Sequence, residues 1–220
     1  MGFTLTSILK PSNCFLKYWW TMLLDLAIYL EKMDRLNLPE SLESERLLLQ
    51  RLRYEDAEEI FYAFASKAEA TRFVSWPTHQ HVKETRAYLK YVRDAWNKGL
   101  DYSYGIRLKA SGQLIGSYGL INEGGRIQFG YIFSPAHWGN GYASEACSLV
   151  TNTLKGMAGI YRIGSFVDCD HPVSAKVLEK NGYVREATLQ RWMRFPNQDN
   201  VAKDCWVYVL PEQPMIKVCE

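Results

Sequence analysis

The run Pro135-Ala136-His137-Trp138-Gly139-Asn140-Gly141-Tyr142-Ala143-Ser144-Glu145-Ala146 is the part of this chain best suited to chemistry. Two glycines stand just ahead of a helical apolar pattern. A helix N-terminus presents unpaired N–H groups and the positive end of the helix dipole, which suits a phosphate. Glycine lets the backbone approach such a group because no Cβ intervenes. The run has neither the Gly-Lys-Ser/Thr of a Walker A loop nor the GxGxxG spacing of a dinucleotide fingerprint. Taken alone, it also reads as a tight strand-to-helix turn. Cys14, Cys147, Cys169, Cys205 and Cys219 are scattered with no CxxC pair, so no zinc site and no thioredoxin-type pair is written here. They read as thiols of a reducing compartment.

These residues need a scaffold. Arg46–Leu52 predicts a first strand, and Ala57, Ile60, Phe61, Phe64 and Ala65 recur at helical spacing behind Asp56. Past the Trp76-Pro77 linker, Val82, Thr85, Leu89, Val92 and Trp96 step by three and four, a second amphipathic helix closed near Gly99. The period then changes. Tyr102, Tyr104, Ile106 and Leu108 alternate, Ser111-Gly112 turns, and residues 114–121 return. Gly124-Gly125 turns again, and Ile127, Phe129, Tyr131 and Phe133 alternate, which completes a three-stranded antiparallel meander. After the glycine run, Ala143, Ala146, Cys147, Val150 and Leu154 line one helix face. Residues 162–168 predict a strand, and His171–Lys180 a helix with Pro172 in its first turn and Gly182 past its end. Strands near 183–190 and 204–210 close a single α/β domain, residues 41–211, with helices on both faces of a mixed sheet.

Of the 220 residues, 47% are apolar and 23% charged, which excludes a collagen-like, low-complexity or disordered chain. A net charge of +2 leaves no basic excess, so no nucleic-acid partner is expected. Residues 18–30, YWWTMLLDLAIYL, contain Asp25 and fall short of the roughly 20 residues of a membrane span, so no stable membrane insertion is expected. Weak basic flanks and Leu30-Glu31-Lys32 make a poor signal peptide. This leader reads as a helix packing on the domain or a partner, as a non-standard targeting segment, or as residues upstream of a natural start at Met33. The last reading is preferred. Residues 1–40 are therefore assigned to an N-terminal extension and 212–220 to a tail.

The glycine run resembles the acyl-CoA pyrophosphate loop of the GNAT superfamily of N-acetyltransferases. The family pattern Gln/Arg-x-x-Gly-x-Gly/Ala lies here on Trp138-Gly139-Asn140-Gly141-Tyr142-Ala143. The wording Trp-Gly-x-Gly-Tyr-Ala-x-Glu-Ala is similar to the branch related to ribosomal-protein N-terminal (Rim-type) acetyltransferases. The resemblance runs from about residue 44 to 210. It is supported by Ser44-Glu45-Arg46-Leu47, Trp76-Pro77, Gly130-Tyr131, Ser174…Val177-Leu178-Glu179-Lys180-Asn181-Gly182-Tyr183 and Lys203-Asp204. It implies a mixed, mostly antiparallel sheet of six to seven strands. In that fold the strand near 127–133 splays from the one near 162–168, and pantetheine bonds in the gap like an extra strand. Acetyl-CoA is the implied cosubstrate, held by Tyr131, Ile132, Phe133, Trp138, Gly139, Asn140, Gly141, Tyr142, Ala143 and Ser144. A backbone N–H in the 131–133 stretch would face the thioester carbonyl. Neither a metal nor a covalent enzyme intermediate is needed, since holding two substrates together removes much of the entropic barrier.

The acceptor amine must be neutral to attack. An α-amine has a pKa of about 8 and a lysine about 10.4, so an N-terminal amine is the easier acceptor at pH 7. In this branch a Glu often precedes the Gly-Tyr of the fourth strand; here Gln128 stands there and cannot accept a proton. By sequence, Glu123, His79 and His171 are the nearest alternatives as base. Many GNAT enzymes protonate the leaving thiolate with a Tyr at the place of Leu178, and the ribosomal-type branch does so with a Ser that matches Ser174. The family commonly has Asn where this chain has His171, whose pKa a helix N-terminus would lower. Ser174 and His171 are thus the expected catalytic residues. The resemblance implies a cytoplasmic N-acetyltransferase, monomer or homodimer, acting on the amine of a protein N-terminus or a small molecule. The competing reading is an acyl-CoA-binding sensor or partner protein of the same fold with little turnover.

Overall fold

Alternation over residues 101–133 builds three long antiparallel strands: β3 (Asp101–Leu108), β4 (Leu114–Glu123) and β5 (Arg126–Phe133). The computed structural model describes residues 35–211, so the run 18–30, Met33 and the tail 212–220 lie outside the described residues. β2 (Leu47–Arg51) pairs with β3, and β1 (Ser41–Glu43) pairs with β2. Downstream come β6 (Arg162–Asp168), β7 (Val184–Arg194) and β8 (Ala202–Val209), giving the order β1-β2-β3-β4-β5-β6-β8-β7. Among the described residues eight strands thus replace the six to seven expected. The extra one, β1, is three residues long and mostly exposed, too short to leave an alternation in the sequence.

Leu36 and Leu38, which sequence pattern groups with the leader, are buried against this sheet. The Tyr102 hydroxyl donates to the Leu36 carbonyl at 3.0 Å and the Tyr104 hydroxyl to that of Pro39 at 2.8 Å. The packed domain therefore starts before residue 41.

Helices cover both faces. On one, α1 (Ala57–Ile60), its continuing π turn (Phe61–Ala65), α2 (Ala68–Thr71) and α3 (Val82–Lys98) surround a cluster that includes Ile60, Phe64, Leu89, Leu114 and Ile132. On the other, α4 (Tyr142–Lys155) and α5 (Pro172–Lys180) pack Cys147, Val150 and Leu178 against Tyr118, Phe129, Ile163 and Tyr208. The aromatic residues divide: Trp96 is core, whereas Trp192, which its apolar ring would place inside, is 55% exposed on a bulged part of β7.

The feature that shapes the site is the one parallel junction. β5 and β6 pair only at Arg126↔Arg162, Ile127↔Ile163 and Gln128↔Gly164, and their ladder then stops. The closed end of this V is held where the Tyr161 amide donates to the Gly125 carbonyl at 3.0 Å. Gly125 has φ +91°, and a Cβ there would lie 2.1 Å from the Gly159 carbonyl oxygen. Gly125→Ala is expected to destabilise the fold by about 2–4 kcal/mol, combining left-handed strain with overpacking at the apex. A denaturant midpoint equal to that of the unmutated chain would contradict this.

Candidate active site

Beyond the junction, β5 still carries backbone groups that a neighbouring strand would use. The Phe129 carbonyl accepts the Ser165 hydroxyl at 2.7 Å and the Phe133 carbonyl accepts the Trp138 indole N–H at 3.0 Å. Odd-numbered residues of β5 therefore direct their backbone polar groups toward the opening, and Tyr131 between them does the same. Ile132 turns its carbonyl to β4, where it lies 2.5 Å from a Cβ built on Gly116. Of the three residues expected to meet pantetheine, Tyr131 and Phe133 thus offer main-chain groups to the gap, while Ile132 lines the adjoining cleft.

The glycine run lies at the mouth of this gap. A single 3₁₀ turn, Pro135–His137, leads to Gly139 and Gly141, both left-handed at φ +78° and +79°. Among the described residues no heavy atom lies within 4 Å of a Cβ built on Gly139, and at Gly141 only the Arg46 guanidinium does, at 3.7 Å. Gly141 caps α4 without a side-chain hydrogen bond, so no cap side chain takes the first-turn amides of Tyr142, Ala143 and Ser144.

Glu145 explains why Ser44 and Arg46 matter so far upstream. Its carboxylate accepts the Ser44 hydroxyl at 2.6 Å, the Arg46 amide at 2.9 Å and the Arg46 Nε at 2.7 Å. Burial works against this charge, but Ser44 and Arg46 outweigh it and hold the carboxyl below the ordinary glutamate value. Arg46 Nη1 also donates to the Asn140 carbonyl at 3.1 Å, fixing the loop to β2. A groove of about 700 Å³ continues from here past Ser144, Lys180 and Asn181.

A second cleft, about 550 Å³, crosses the opened V on the α1–α3 face. Ser174 lies on its α5 side, and its Oγ is 3.0 Å from the Tyr131 hydroxyl. Burial pushes the Tyr131 phenol well above its usual pKa, so it stays protonated, even though the Ser174 contact works the other way. His171, at the N-cap of α5, stacks on Phe73 with ring centroids 4.1 Å apart and planes at 4°. Neither of its ring nitrogens has a hydrogen-bond partner among the described residues. Its pKa is lowered chiefly by burial; Asp168 opposes this and Arg72 adds to it. The direction is the one expected from a helix N-terminus, but its cause is desolvation, so the imidazole is neutral at pH 7.

The other suggested bases separate. Glu123 pairs with Arg126 at the exposed β4–β5 turn and does not line the cleft. His79 does line it; its Nδ1 is 2.8 Å from the Thr85 hydroxyl, and burial lowers its pKa. Gln128 lines it too.

Two groups at or near the cleft are not picked out by the sequence pattern above. Asn197, in the β7–β8 loop, accepts from the Thr78 amide at 2.9 Å and donates to the Thr71 and Trp76 carbonyls at 2.7 and 2.9 Å. It thereby clamps that loop to the linker between α2 and α3. Nothing in the neighbouring residues marks it, since its partners lie more than a hundred residues away. Asp101 and Ser103 line the cleft from β3 and are almost wholly buried. Here a faint signal exists: an acidic residue opens a strand whose other face carries Tyr102, Tyr104 and Ile106.

An opened β5–β6 ladder beside a helix N-terminus that no cap side chain fills leaves room for an extended ligand between sheet and helix. The acetyltransferase (GNAT) domain model matches residues 46–184, and the chain belongs to this family of acetyl-CoA-dependent acetyltransferases. It is 31% identical over 155 residues to the uncharacterized N-acetyltransferase YoaA of Bacillus subtilis (strain 168), covering 69% of this chain and 87% of that one. Among solved structures it shares the fold of Mycobacterium smegmatis RimJ in complex with CoA-disulfide, with TM-score 0.70, 17% identity, and 81% and 93% of the two chains covered. It also shares that of RimL, the ribosomal L7/L12 alpha-N-protein acetyltransferase, in complex with coenzyme A. There the TM-score is 0.69 at 16% identity, over 77% of this chain and 97% of that one. Among the described residues no group of three or more His, Cys, Asp or Glu is placed to hold a metal, and no helix is long and apolar enough to cross a membrane.

Proposed function

We propose that this protein transfers the acetyl group of acetyl-CoA to a primary amine, the α-amine of a protein N-terminus or a small-molecule amine, by direct attack in a ternary complex. The observation that carries the reading is the coincidence of two openings. The β5–β6 ladder ends beside a helix N-terminus whose two left-handed glycines leave the space in front of the first-turn amides open. In this reading residues 139–144 hold the pyrophosphate through backbone N–H groups, and Trp138 fixes the loop through its bond to Phe133. Tyr131 and Phe133 bond pantetheine, and the Tyr131 amide donates to the thioester carbonyl as negative charge develops on it. The Ile132 side chain packs along the adjoining wall.

Ser174 gives its proton to the departing sulfur. The Tyr131 hydroxyl, bonded to Ser174 Oγ, stabilises the serine oxygen while it does so. His171, neutral and with ring nitrogens that have no partner among the described residues, accepts a hydrogen bond from the N–H of the incoming amine beside the thioester. His171→Ala is expected to lower turnover about tenfold, the worth of one such bond, and His171→Asn to restore most of it. Equal rates for all three forms would remove His171 from the reaction. The Rim-type solved structures that share the fold support a protein N-terminus as acceptor, and a cytoplasmic monomer or homodimer fits that use.

The test of the cosubstrate site is a melting curve with acetyl-CoA. Saturation at about a hundred times the dissociation constant adds about 2.7 kcal/mol, a rise on the order of 5–10 °C. No rise at millimolar acetyl-CoA would overturn the reading. A rise without turnover of any amine would favour the acyl-CoA-binding sensor, the reading that Gln128 sustains.

A further inference from the structure

Asp101, Ser103 and Tyr88 form a hydrogen-bonded line along the cleft wall that has no part in holding acetyl-CoA. Asp101 is only 8% exposed, yet it lines the cleft. Its Oδ1 accepts the Ser103 hydroxyl at 2.7 Å, and Tyr88 donates to Ser103 at 3.4 Å. Among the described residues Oδ2 accepts no hydrogen bond and no cation pairs with the carboxylate. A buried carboxylate without a cation costs stability, and a cation arriving from outside removes that cost.

The strand register shows where such a cation would sit. Asp101 is opposite Ile121, and Ile121 is opposite Gln128, so the three side chains share one row on one face of the sheet. Two strand spacings separate Asp101 from Gln128, about 10 Å. Asp101 is the only ionisable member of that row. The next row is Ser103, Gly119 and Gly130. Among the described residues a Cβ on Gly130 would meet nothing within 4 Å, and one on Gly119 would meet only the Ser103 hydroxyl, at 3.4 Å. The bare Gly119–Gly130 floor thus lies between Asp101 and the residue whose amide faces the gap, Tyr131, which is two strands away and three residues further along β5 than Gln128. At the outer rim Tyr91 and Ile121 also line the cleft while 58% and 43% exposed, an apolar lip beside the carboxylate.

We propose that Asp101 is the acceptor subsite: it receives the ammonium group of a primary amine carrying an apolar group nearby, and takes one proton from it. The proposal rests on the acetyl-transfer reading above. One ammonium proton passes to Asp101 and from there to water, leaving a lone pair on nitrogen. The C–N bond forms and the C–S bond breaks. The second proton shed by nitrogen balances the one that sulfur takes from Ser174.

Burial holds the Asp101 carboxyl above the ordinary aspartate value, and the Ser103 hydroxyl brings it part of the way back. The titratable groups facing it are Tyr88 and Tyr91 on α3; Ile121 on β4 and Gln128 on β5 bring none. Both phenols are raised by burial, Tyr88 to about 12, and both are neutral at pH 7.

The experiment uses the full chain, acetyl-CoA, and 2-phenylethylamine with its neutral counterpart 2-phenylethanol. With coenzyme A bound, the wild type is expected to bind the amine at least tenfold tighter than the alcohol, and D101N to lose that preference. D101N should lower kcat/KM for the amine by about 10²-fold or more and erase the acidic limb of its pH profile, with acetyl-CoA affinity within twofold. S103A removes a bond that lowers the Asp101 pKa, so the limb should move to higher pH. A merely structural Asp101 predicts a less stable D101N; removing an unpaired buried charge predicts equal or greater stability. A wild type that does not prefer the amine, or a D101N protein with unaltered preference and pH profile, overturns the proposal. A wild type that prefers the amine through Asp101 yet releases no coenzyme A keeps the subsite and overturns the transfer reading instead.

Discussion

Replacing Gly141 by leucine is expected to abolish the rise in melting temperature that acetyl-CoA produces, a loss of at least a hundredfold in affinity. Two effects act together. At φ +79° an L-residue pays about 1–2 kcal/mol of backbone strain, which tends to rotate the loop out of register with the α4 amides. The Cβ itself would only touch the Arg46 guanidinium, at 3.7 Å, but the isobutyl group beyond it extends into the space in front of the α4 amides and against Arg46. Displacing Arg46 releases its bonds to the Asn140 carbonyl and to Glu145, and these hold the loop against β2. Gly124→Ala is the control. Gly124 is also left-handed, at φ +61°, with nothing within 4 Å of its added Cβ, and it sits in the β4–β5 turn away from the loop. It should carry a comparable strain and retain the full acetyl-CoA shift. A Gly141→Leu protein that still shifts as the wild type does would mean that phosphates bind elsewhere.

Ser174→Ala is expected to reduce turnover at saturating substrates by about 10²-fold while leaving acetyl-CoA affinity within twofold, the size and pattern of a lost general acid. The affinity holds because Ser174 meets the sulfur end, whereas the α4 amides and the β5 backbone provide the binding. Tyr131→Phe should cost less, about tenfold, since Ser174 keeps its own proton and loses only the 3.0 Å contact that supports its oxygen. Burial keeps the Tyr131 phenol protonated through the working range, so no basic limb should arise from it. Ser174→Thr, which retains a hydroxyl, should recover most of the rate. Unchanged turnover in Ser174→Ala would place the proton donor on another group.

The elements with strong periodicity are legible in the amino-acid sequence. Alternation from Tyr102 to Phe133 marks the meander, and Gly99, Pro172 and Gly182 mark helix ends because each has a backbone reason to be there. The glycine cradle is legible because its chemistry is local, compressed into six consecutive residues. What escapes is non-local or short. β1 is too brief to show a period, and Leu36 and Leu38 look like linker until Tyr102 and Tyr104 hydrogen-bond to the chain beside them. Asn197 matters only through partners far away in the sequence, the Thr78 amide and the Thr71 and Trp76 carbonyls. Asp101 becomes informative when the register puts it in one row with Gln128. Gln128 shows the converse limit. Its identity removes a base, but sequence alone does not say which carboxylate stands across the cleft from it.

The central claim is that an acetyl group leaves acetyl-CoA in this cleft and ends on an amine nitrogen. The most direct measurement gives the full chain acetyl-CoA labelled with ¹³C in the acetyl group and a mixture of primary amines and short peptides with free N-termini. Mass spectrometry then follows the products while coenzyme A release is titrated by a thiol reagent. A labelled N-acetyl product formed one-for-one with free coenzyme A is the expected result. Coenzyme A released with the label recovered only as acetate, or acetyl-CoA bound and left intact beside every amine, would contradict it.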